Sequence, residues 1–494
     1  LFLNINFKYF LCMAAHLSET LLTFNFFKQD TMRPIYYSLF FGGLTVLFTI
    51  YCSPFKAQNT TDINLIKQEK KKQEIDSIIK AYASINKFNG TALVHYQHTT
   101  FFEKSYGWQD VEKKLPNQNK SIYQIASLTK SFTALTIIKL CEEGKLSVKD
   151  PVSKFIPDYP RGSEITVEHL LTHSSGIYEV LRNKEYFRLL HTTEPITKSR
   201  EISFFKDEPL DFKPGTQFSY TNSGYILLGM IIEKITGQTY EEAVTKMILH
   251  PLKMTHTGFD YPSLKSPYKT IPYSYLSKTK QEKTEIWNPE LTGPAGQIYS
   301  TAEDLYKYYK GLRDYTIVSK ESFKKATTSY LSGYGYGWFI DDLYGKKLIN
   351  HGGNIEGSTS YFAMLPDDDI CIILLNNITS KKLEKAGNTI LAAVLDQPYD
   401  LPKPKKEITL DGSVLKKYAG NYELSEDTVI HILNENGQLF IQNNNDPKIR
   451  MLAEKEDVFF LPDDDTEISF IFKKDEKDVI IIKKGLSSKT AEKL

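Results

Sequence analysis

The chain has 494 residues, enough for two or three domains with a sizeable core, and its 41% hydrophobic and 24% charged content is that of an ordinary globular protein. Lys and Arg (61) nearly cancel Asp and Glu (60), and the basic residues are scattered, which excludes nucleic-acid binding and a strongly charged substrate surface. Of the four cysteines, Cys12 and Cys52 lie in the leader region, while Cys141 and Cys371 fall in apolar stretches without metal-ligand spacing and read as buried free thiols.

The N-terminal region reads as a targeting signal. Met32-Arg33 precedes an uncharged, mostly apolar run from Pro34 to Phe55, which reads as a secretory signal peptide processed after Ala57. Translation is expected to begin at Met32, with residues 1–31 an over-extended start. The alternative is an uncleaved membrane anchor through residues 34–55, since the run is long enough to span a bilayer. Either reading places residues 58–494 outside the cytoplasm, periplasmic or secreted.

Ile75, Ile78, Ile79 and Tyr82 then mark an amphipathic helix ending near Asn89-Gly90, and Thr91–Tyr96 with Phe101–Trp108 predict a hairpin. Ile125-Ala126-Ser127-Leu128-Thr129-Lys130 runs into a stretch that is apolar nearly all round, with Ala134, Ile137, Ile138 and Cys141 on one side and Leu128, Phe132 and Leu135 on another. Such a helix belongs in the interior. Ser127 and Lys130 are expected in its first turn, on one face, where an amine can serve a hydroxyl and the serine N–H, backed by the helix dipole, can meet an oxyanion. Ser-x-x-Lys also recurs elsewhere, as at Ser77/Lys80, Ser84/Lys87 and Ser322/Lys325, so the buried context and the downstream partners single out Ser127.

Ile165–Thr172 predicts a short capped helix, and its His169 and His173 have the i, i+4 spacing of metal ligands, but Leu170 stands where a zinc-protease pattern needs Glu. No metal and no cofactor are expected. Tyr220-Thr221-Asn222 precedes an apolar helix from Tyr225 to Ile235 closed by Gly237, with Asn222 as its expected N-cap. The same loop can offer a phenol and a carboxamide to a cleft, the phenol for proton transfer and the amide for a substrate. Gly293-Pro294-Ala295-Gly296 predicts a loop before a capped helix, and Tyr334–Trp338 the start of a strand.

Leu348–Gly357 contains His351-Gly352-Gly353-Asn354, followed by strand-like Ser358–Leu365 and Ile370–Leu375, one side of an antiparallel sheet. Gly352 and Gly353 are expected to let a substrate backbone approach, and the Asn354 N–H to be a second oxyanion donor. His256-Thr257-Gly258 is a competing His-x-Gly, set in a turn-like segment without flanking strands. Lys385–Leu395 predicts a last helix. A proline- and lysine-rich linker, 399–409, then separates a hydrolase domain at 58–398 from a small all-β unit at 410–494, a sandwich or barrel of short strands.

The ordered trio Ser127-x-x-Lys130, Tyr220-x-Asn222 and His351-Gly352-Gly353, at separations of 93 and 131 residues, resembles the serine β-lactamase and penicillin-binding-protein superfamily, in particular its class C β-lactamase and DD-peptidase branch. His169–Gly176, Pro251–Met254 and Ser300–Leu305 are similar to the same branch, and the tail resembles a lipocalin-like β-domain. The resemblance implies an α+β fold: an antiparallel sheet with the first and last helices on one face, and an all-helical subdomain carrying Ser127 and Tyr220. It implies that Ser127 attacks, Lys130 and Tyr220 manage protons, Asn222 orients the substrate amide, and the Ser127 and Asn354 N–H groups hold the oxyanion of an acyl-enzyme reaction.

Where β-lactamases of the family commonly carry lysine, position 351 is histidine, largely neutral at pH 7. The expectation is therefore an exported serine hydrolase or peptidase acting on a peptide, with D-amino-acid peptides of the cell wall included, or on an amide or ester. A β-lactamase proper is the nearest alternative. The alternative of another class is a non-catalytic protein using the fold to bind peptidoglycan or a partner. A small-molecule or peptide substrate is the expected partner.

Overall fold

The structure is a computed structural model that describes residues 37–41, 44–48 and 60–494, apart from 279, 426–427, 445, 462–465, 475 and 485–486. The chain forms two units, Leu1–Lys67 and Gln68–Leu494. In the first, Tyr37–Phe41 and Leu44–Phe48 pair as an antiparallel hairpin. The remainder of the expected signal or anchor, Cys12 and Cys52 included, lies outside the described residues. Among the described residues no helix is long and apolar enough to cross a membrane.

The second unit is built on a six-stranded sheet. Its strands are β1 (Gly90–Tyr96), β2 (Thr99–Ser105), β3 (Phe339–Leu343), β4 (Lys346–Ile355), β5 (Ser358–Leu365) and β6 (Ile370–Asn376), all antiparallel in the order β3-β4-β5-β6-β1-β2. Strands β1, β5 and β6 are buried at nearly every position because both faces are covered. Alternate residues point to opposite cores: Leu93, Phe362, Met364, Cys371, Ile373 and Leu375 to one, Ala92, Val94, Tyr361, Ala363, Ile372 and Leu374 to the other.

Helices α1 (Thr60–Ser84) and α5 (Leu383–Val394) cover the second face, as the resemblance implied, through Ile75, Ile78, Ile79, Tyr82, Ala386 and Ile390. The buried Lys71 reaches the last carbonyls of α5, donating to Ala393 O at 3.0 Å and Val394 O at 2.7 Å, and so helps to satisfy the helix terminus. Gly387 allows α5 to lie directly on the sheet, since a Cβ there would stand 2.3 Å from the Tyr361 ring.

The first face packs against the helical half. The Ser127 stretch enters as a 3₁₀ turn, Ala126–Leu128, and only then continues as α2 (Thr129–Glu142). The expected first-turn placement of Ser127 is thus corrected to the turn before the helix. Buried from Thr129 to Ile138 without a break, α2 runs beside α3 (Asn222–Thr236) and under α4 (Ala302–Arg313), whose Tyr308 stacks on Phe132 at 4.0 Å between ring centroids. Cys371 is buried, but Cys141 is only half-buried, because α2 surfaces at its last turn. Tyr334–Trp338 is a loop rather than a strand start, and β3 begins at Phe339. Two glycines at positive φ, Gly333 and Gly337, turn the chain there.

Residues 397–411 contain no helix or strand. Beyond them eight strands close into a barrel, the first (Gly420–Ser425) pairing with the last (Ser487–Lys493) through Tyr422 and Lys493. Closure leaves no open edge. Two of its strands, Ile449–Lys455 and Ser487–Lys493, carry too weak a pattern to be read from sequence, the last because it is a run of small and charged residues.

Candidate active site

Ser127 stands at the junction of the two halves. Ala126, immediately before it, is held at φ 47°, a left-handed conformation costly for any residue with a Cβ, and this sharp turn carries the chain from Tyr123–Gln124 into α2. The serine side of the turn faces a cleft of about 480 Å³ that is also lined by Tyr220, His351, Gly352, Gly353 and Asn354. Of the residues singled out from sequence, the structure brings Ser127, Lys130, Tyr220, Asn222, His351, Gly352, Gly353 and Asn354 into one place. The other Ser-x-x-Lys serines are elsewhere: Ser77 and Ser84 hydrogen-bond carbonyls of their own helix, Gln73 O and Ala81 O.

Lys130 is fully buried and its Nζ has three acceptors: Ser127 Oγ at 3.1 Å, Asn222 Oδ1 at 2.8 Å and Ala295 O at 2.8 Å. That socket satisfies an ammonium with three N–H bonds. It equally satisfies a neutral amine, whose two hydrogens go to Asn222 and Ala295 while its lone pair faces the Ser127 hydroxyl. Burial pulls the Lys130 pKa down to about 7, against a smaller opposing pull from the carboxylate of Glu179. Tyr220 moves the other way. Burial holds its phenol above the ordinary tyrosine range, only partly offset by a hydrogen bond with Ser127. Its ring lies 4.9 Å from Lys130 Nζ.

Asn222 is not the N-cap of α3 but its first residue; Thr221 is the cap and makes no side-chain cap bond. Glu179 takes over the helix terminus, accepting the Asn222 backbone N–H at 2.5 Å and its Nδ2 at 2.8 Å. Because Nδ2 is committed to Glu179, Oδ1 must face Lys130, so this carboxylate fixes the orientation of the amide. Glu179 and the Ala295 carbonyl were invisible from sequence. The only signal for the first was an acid following Gly176-Ile177-Tyr178 in an otherwise uncharged stretch.

The loop carrying Tyr220 is clamped by the segment in which two histidines had metal-ligand spacing. Ser219 N donates to His173 O at 2.9 Å, Thr221 N to His173 Nδ1 at 3.2 Å, and the His173 ring lies 4.1 Å from that of Tyr220. His169 instead completes the cap of its own helix, its Nδ1 accepting from Thr166 N at 3.2 Å. Among the described residues no group of three or more His, Cys, Asp or Glu could hold a metal ion.

His351 lines the cleft, but both ring nitrogens are engaged within the protein. Nδ1 lies 2.6 Å from Gly352 O, which can only accept, so Nε2 accepts from the Tyr334 hydroxyl at 3.0 Å. Burial, helped by the charge of Lys130, pulls its pKa down to about 3. It is a neutral ring wall. The two glycines after it have different jobs. A Cβ on Gly352 would meet only Ser360 O, at 3.5 Å, so this position is open to the cleft as expected. On Gly353 it would stand 2.0 Å from Ile125 O and 2.6 Å from Ser360 Oγ. The expectation that both glycines admit a substrate is therefore corrected: Gly353 admits the protein's own nucleophile turn, which Ser360 Oγ of the neighbouring strand β5 also holds by donating to Ile125 O at 2.7 Å.

Tyr344 and Gly345, both at positive φ, close the β3–β4 turn, so Leu343 and Lys346 form a hydrogen-bonded pair. Counting in twos along β4, the N–H groups of Gly352 and Asn354 point to the β3 side, beyond Asn350 where β3 has ended. The Asn354 N–H therefore faces the cleft beside Ser127. A second, smaller cavity of about 80 Å³ adjoins the serine, and Ser127 and Asn354 line it too.

Comparison with known proteins finds relatives for both parts of the chain. Residues 75–396 match the family model Beta-lactamase, and residues 404–488 match a domain of unknown function, DUF3471. Penicillin-binding protein 4* of Bacillus subtilis (strain 168) is 26% identical over 438 residues, 83% of this chain and 95% of that protein. The octameric penicillin-binding protein homologue from Pyrococcus abyssi is 30% identical, covers 85% of this chain and 99% of its own, and superimposes with a TM-score of 0.59. For the D-stereospecific amidohydrolase from Streptomyces sp. the values are 26%, 65%, 98% and 0.57.

Proposed function

The chain belongs to the Beta-lactamase family, and on that premise we propose that it is a serine hydrolase forming an acyl-enzyme on Ser127 with amide, peptide or ester substrates, D-amino-acid derivatives among them. The observation that carries the reading is the buried Lys130 amine, 3.1 Å from Ser127 Oγ with a pKa near 7. A lysine that sheds its proton near neutrality is a base, and one held against a hydroxyl activates it. Tyr220, pushed the opposite way, is the proton donor of the pair.

Lys130 takes the Ser127 proton as Oγ attacks the carbonyl, and the oxyanion forms between the Ser127 and Asn354 N–H groups. As the tetrahedral intermediate collapses, the Tyr220 phenol protonates the leaving group, and the proton held by Lys130 restores the phenol. Water then attacks the ester on Ser127 by the same steps in reverse. The neutral His351 provides no fixed cation for a substrate carboxylate, which favours amides, peptides and esters over β-lactams. The apolar run 34–55 supports export, with cleavage or anchorage of the leader.

A fluorophosphonate probe tests the assignment. Labelling should be lost in Ser127→Ala and kept in Ser322→Ala; labelling indifferent to Ser127 would leave a binding protein on the same fold.

Glu179 acts through Asn222 and Lys130. Glu179→Gln should lower kcat/KM about tenfold to a hundredfold, because the amide that holds the base is free to turn. It should also move the acidic limb of the pH profile to lower pH, since the charge that supports protonated Lys130 is gone. A merely structural defect would lower the rate without moving the limb.

A further inference from the structure

The two cavities beside Ser127 differ in character. The large lobe contains Tyr220 but not Asn222; the small lobe contains Asn222 but not Tyr220. Since Ser127 and Asn354 line both, the scissile carbonyl is fixed where the lobes meet. Tyr220 protonates the leaving group, so the leaving group must lie in the large lobe, and the acyl part is left with the small one.

Their walls are chemically opposite. Leu181, Tyr186, Leu190, Trp287, Leu291 and Ile355 line the small lobe. In the large lobe the neutral His351 is accompanied by Asp341, on β3, and Glu384, in the first turn of α5. Among the described lining residues these two carboxylates outnumber the single ammonium, Lys381. Asp341 is held toward the lobe by Asn350 Nδ2, which donates to it at 2.7 Å. Its charge is felt at Glu384, whose carboxyl is raised by burial and then by Asp341. The α5 N-terminus, which would otherwise attract an anion, is already matched by Glu384.

We propose that the lobes divide the substrate at its scissile bond, the acyl side chain entering the apolar lobe and the leaving group the acidic one. The preferred substrates are then amides and esters of apolar acyl groups whose leaving group is neutral or cationic and bears no carboxylate. The inference rests on the hydrolase reading of Ser127.

The test uses two series of phenyl esters. In the first, acyl chains lengthen from acetyl; kcat/KM should rise roughly fourfold per methylene until the lobe is filled, as burial of each group predicts. Leu181→Trp, a substitution at a partly exposed wall position, should flatten that rise. In the second, one acyl group is paired with leaving groups bearing a meta aminoethyl or a meta carboxymethyl. At low ionic strength the ratio of kcat/KM for the amine over the acid should fall about tenfold in Glu384→Lys relative to the unaltered enzyme, and the difference should shrink with salt.

Fluorophosphonate labelling run alongside separates the two levels. If Ser127 is labelled but the acyl rise survives Leu181→Trp, or the charge ratio is unmoved by Glu384→Lys, the division of the substrate is wrong and the hydrolase reading stands. If Ser127 is not labelled, both fall.

Discussion

In Lys130→Met, kcat/KM for any substrate of this enzyme should fall by about a thousandfold to ten-thousandfold, the range of a lost general base together with the positioning it provides. Methionine keeps the volume of the buried stem and removes the amine held 3.1 Å from Ser127 Oγ. Unaltered enzyme should show an acidic limb near pH 7, where Lys130 gains its proton, and the variant should have none.

Stability should answer with its own sign. The folded chain releases the Lys130 proton near pH 7, whereas the unfolded chain keeps it to about pH 10.5. Between those values the unfolded state binds more protons, so this group makes folding more favourable as pH rises through the window. Lys130→Met removes the dependence, and its advantage in thermal unfolding over the unaltered protein should be largest below pH 7 and shrink toward pH 10. An equal difference at every pH would mean that Lys130 is not titrating near neutrality.

Gly353→Ala should be nearly as damaging to activity as losing the base, and through geometry alone. The added Cβ would sit 2.0 Å from Ile125 O and 2.6 Å from Ser360 Oγ, both part of the seam that presses the nucleophile turn against β4. Because the nearest obstacle is a backbone carbonyl, the strand and the turn must part. Parting them separates the Asn354 N–H from the Ser127 N–H, and an oxyanion donor out of place costs about a hundredfold to a thousandfold in kcat. Overpacking should cost about 1–3 kcal/mol of stability as well. Gly352→Ala is the control: its Cβ would meet only Ser360 O at 3.5 Å, so the fold should be unaffected and any loss should appear in substrate binding. Equal activity losses with equal unfolding curves for the two variants would overturn the distinction.

The parts of this protein that depend on local order were legible in its residues. A helix apolar all round had to be buried, strand-like runs joined by a tight polar turn had to pair as an antiparallel sheet, and Gly237 closes α3 in the left-handed conformation that the pattern required. Resemblance of three short motifs in order then implied which side chains would meet, and the meeting of Lys130, Tyr220 and Asn222 at Ser127 follows that order.

What the residues could not give were the contacts made across chain separations with no pattern of their own. Glu179 is a lone acid in a short turn until α3 brings Asn222 against it, and Ala295 contributes only a backbone carbonyl, which every residue possesses. The role of Gly353 depends on a neighbour 228 positions away, Ile125, and the neutrality of His351 on its burial beside Lys130. Sequence determined which elements form and which chemical groups are available, because those follow from local periodicity and side-chain chemistry. Only the tertiary structure decided the protonation, orientation and spacing of those groups, because burial and hydrogen-bond partners are properties of the assembled interior.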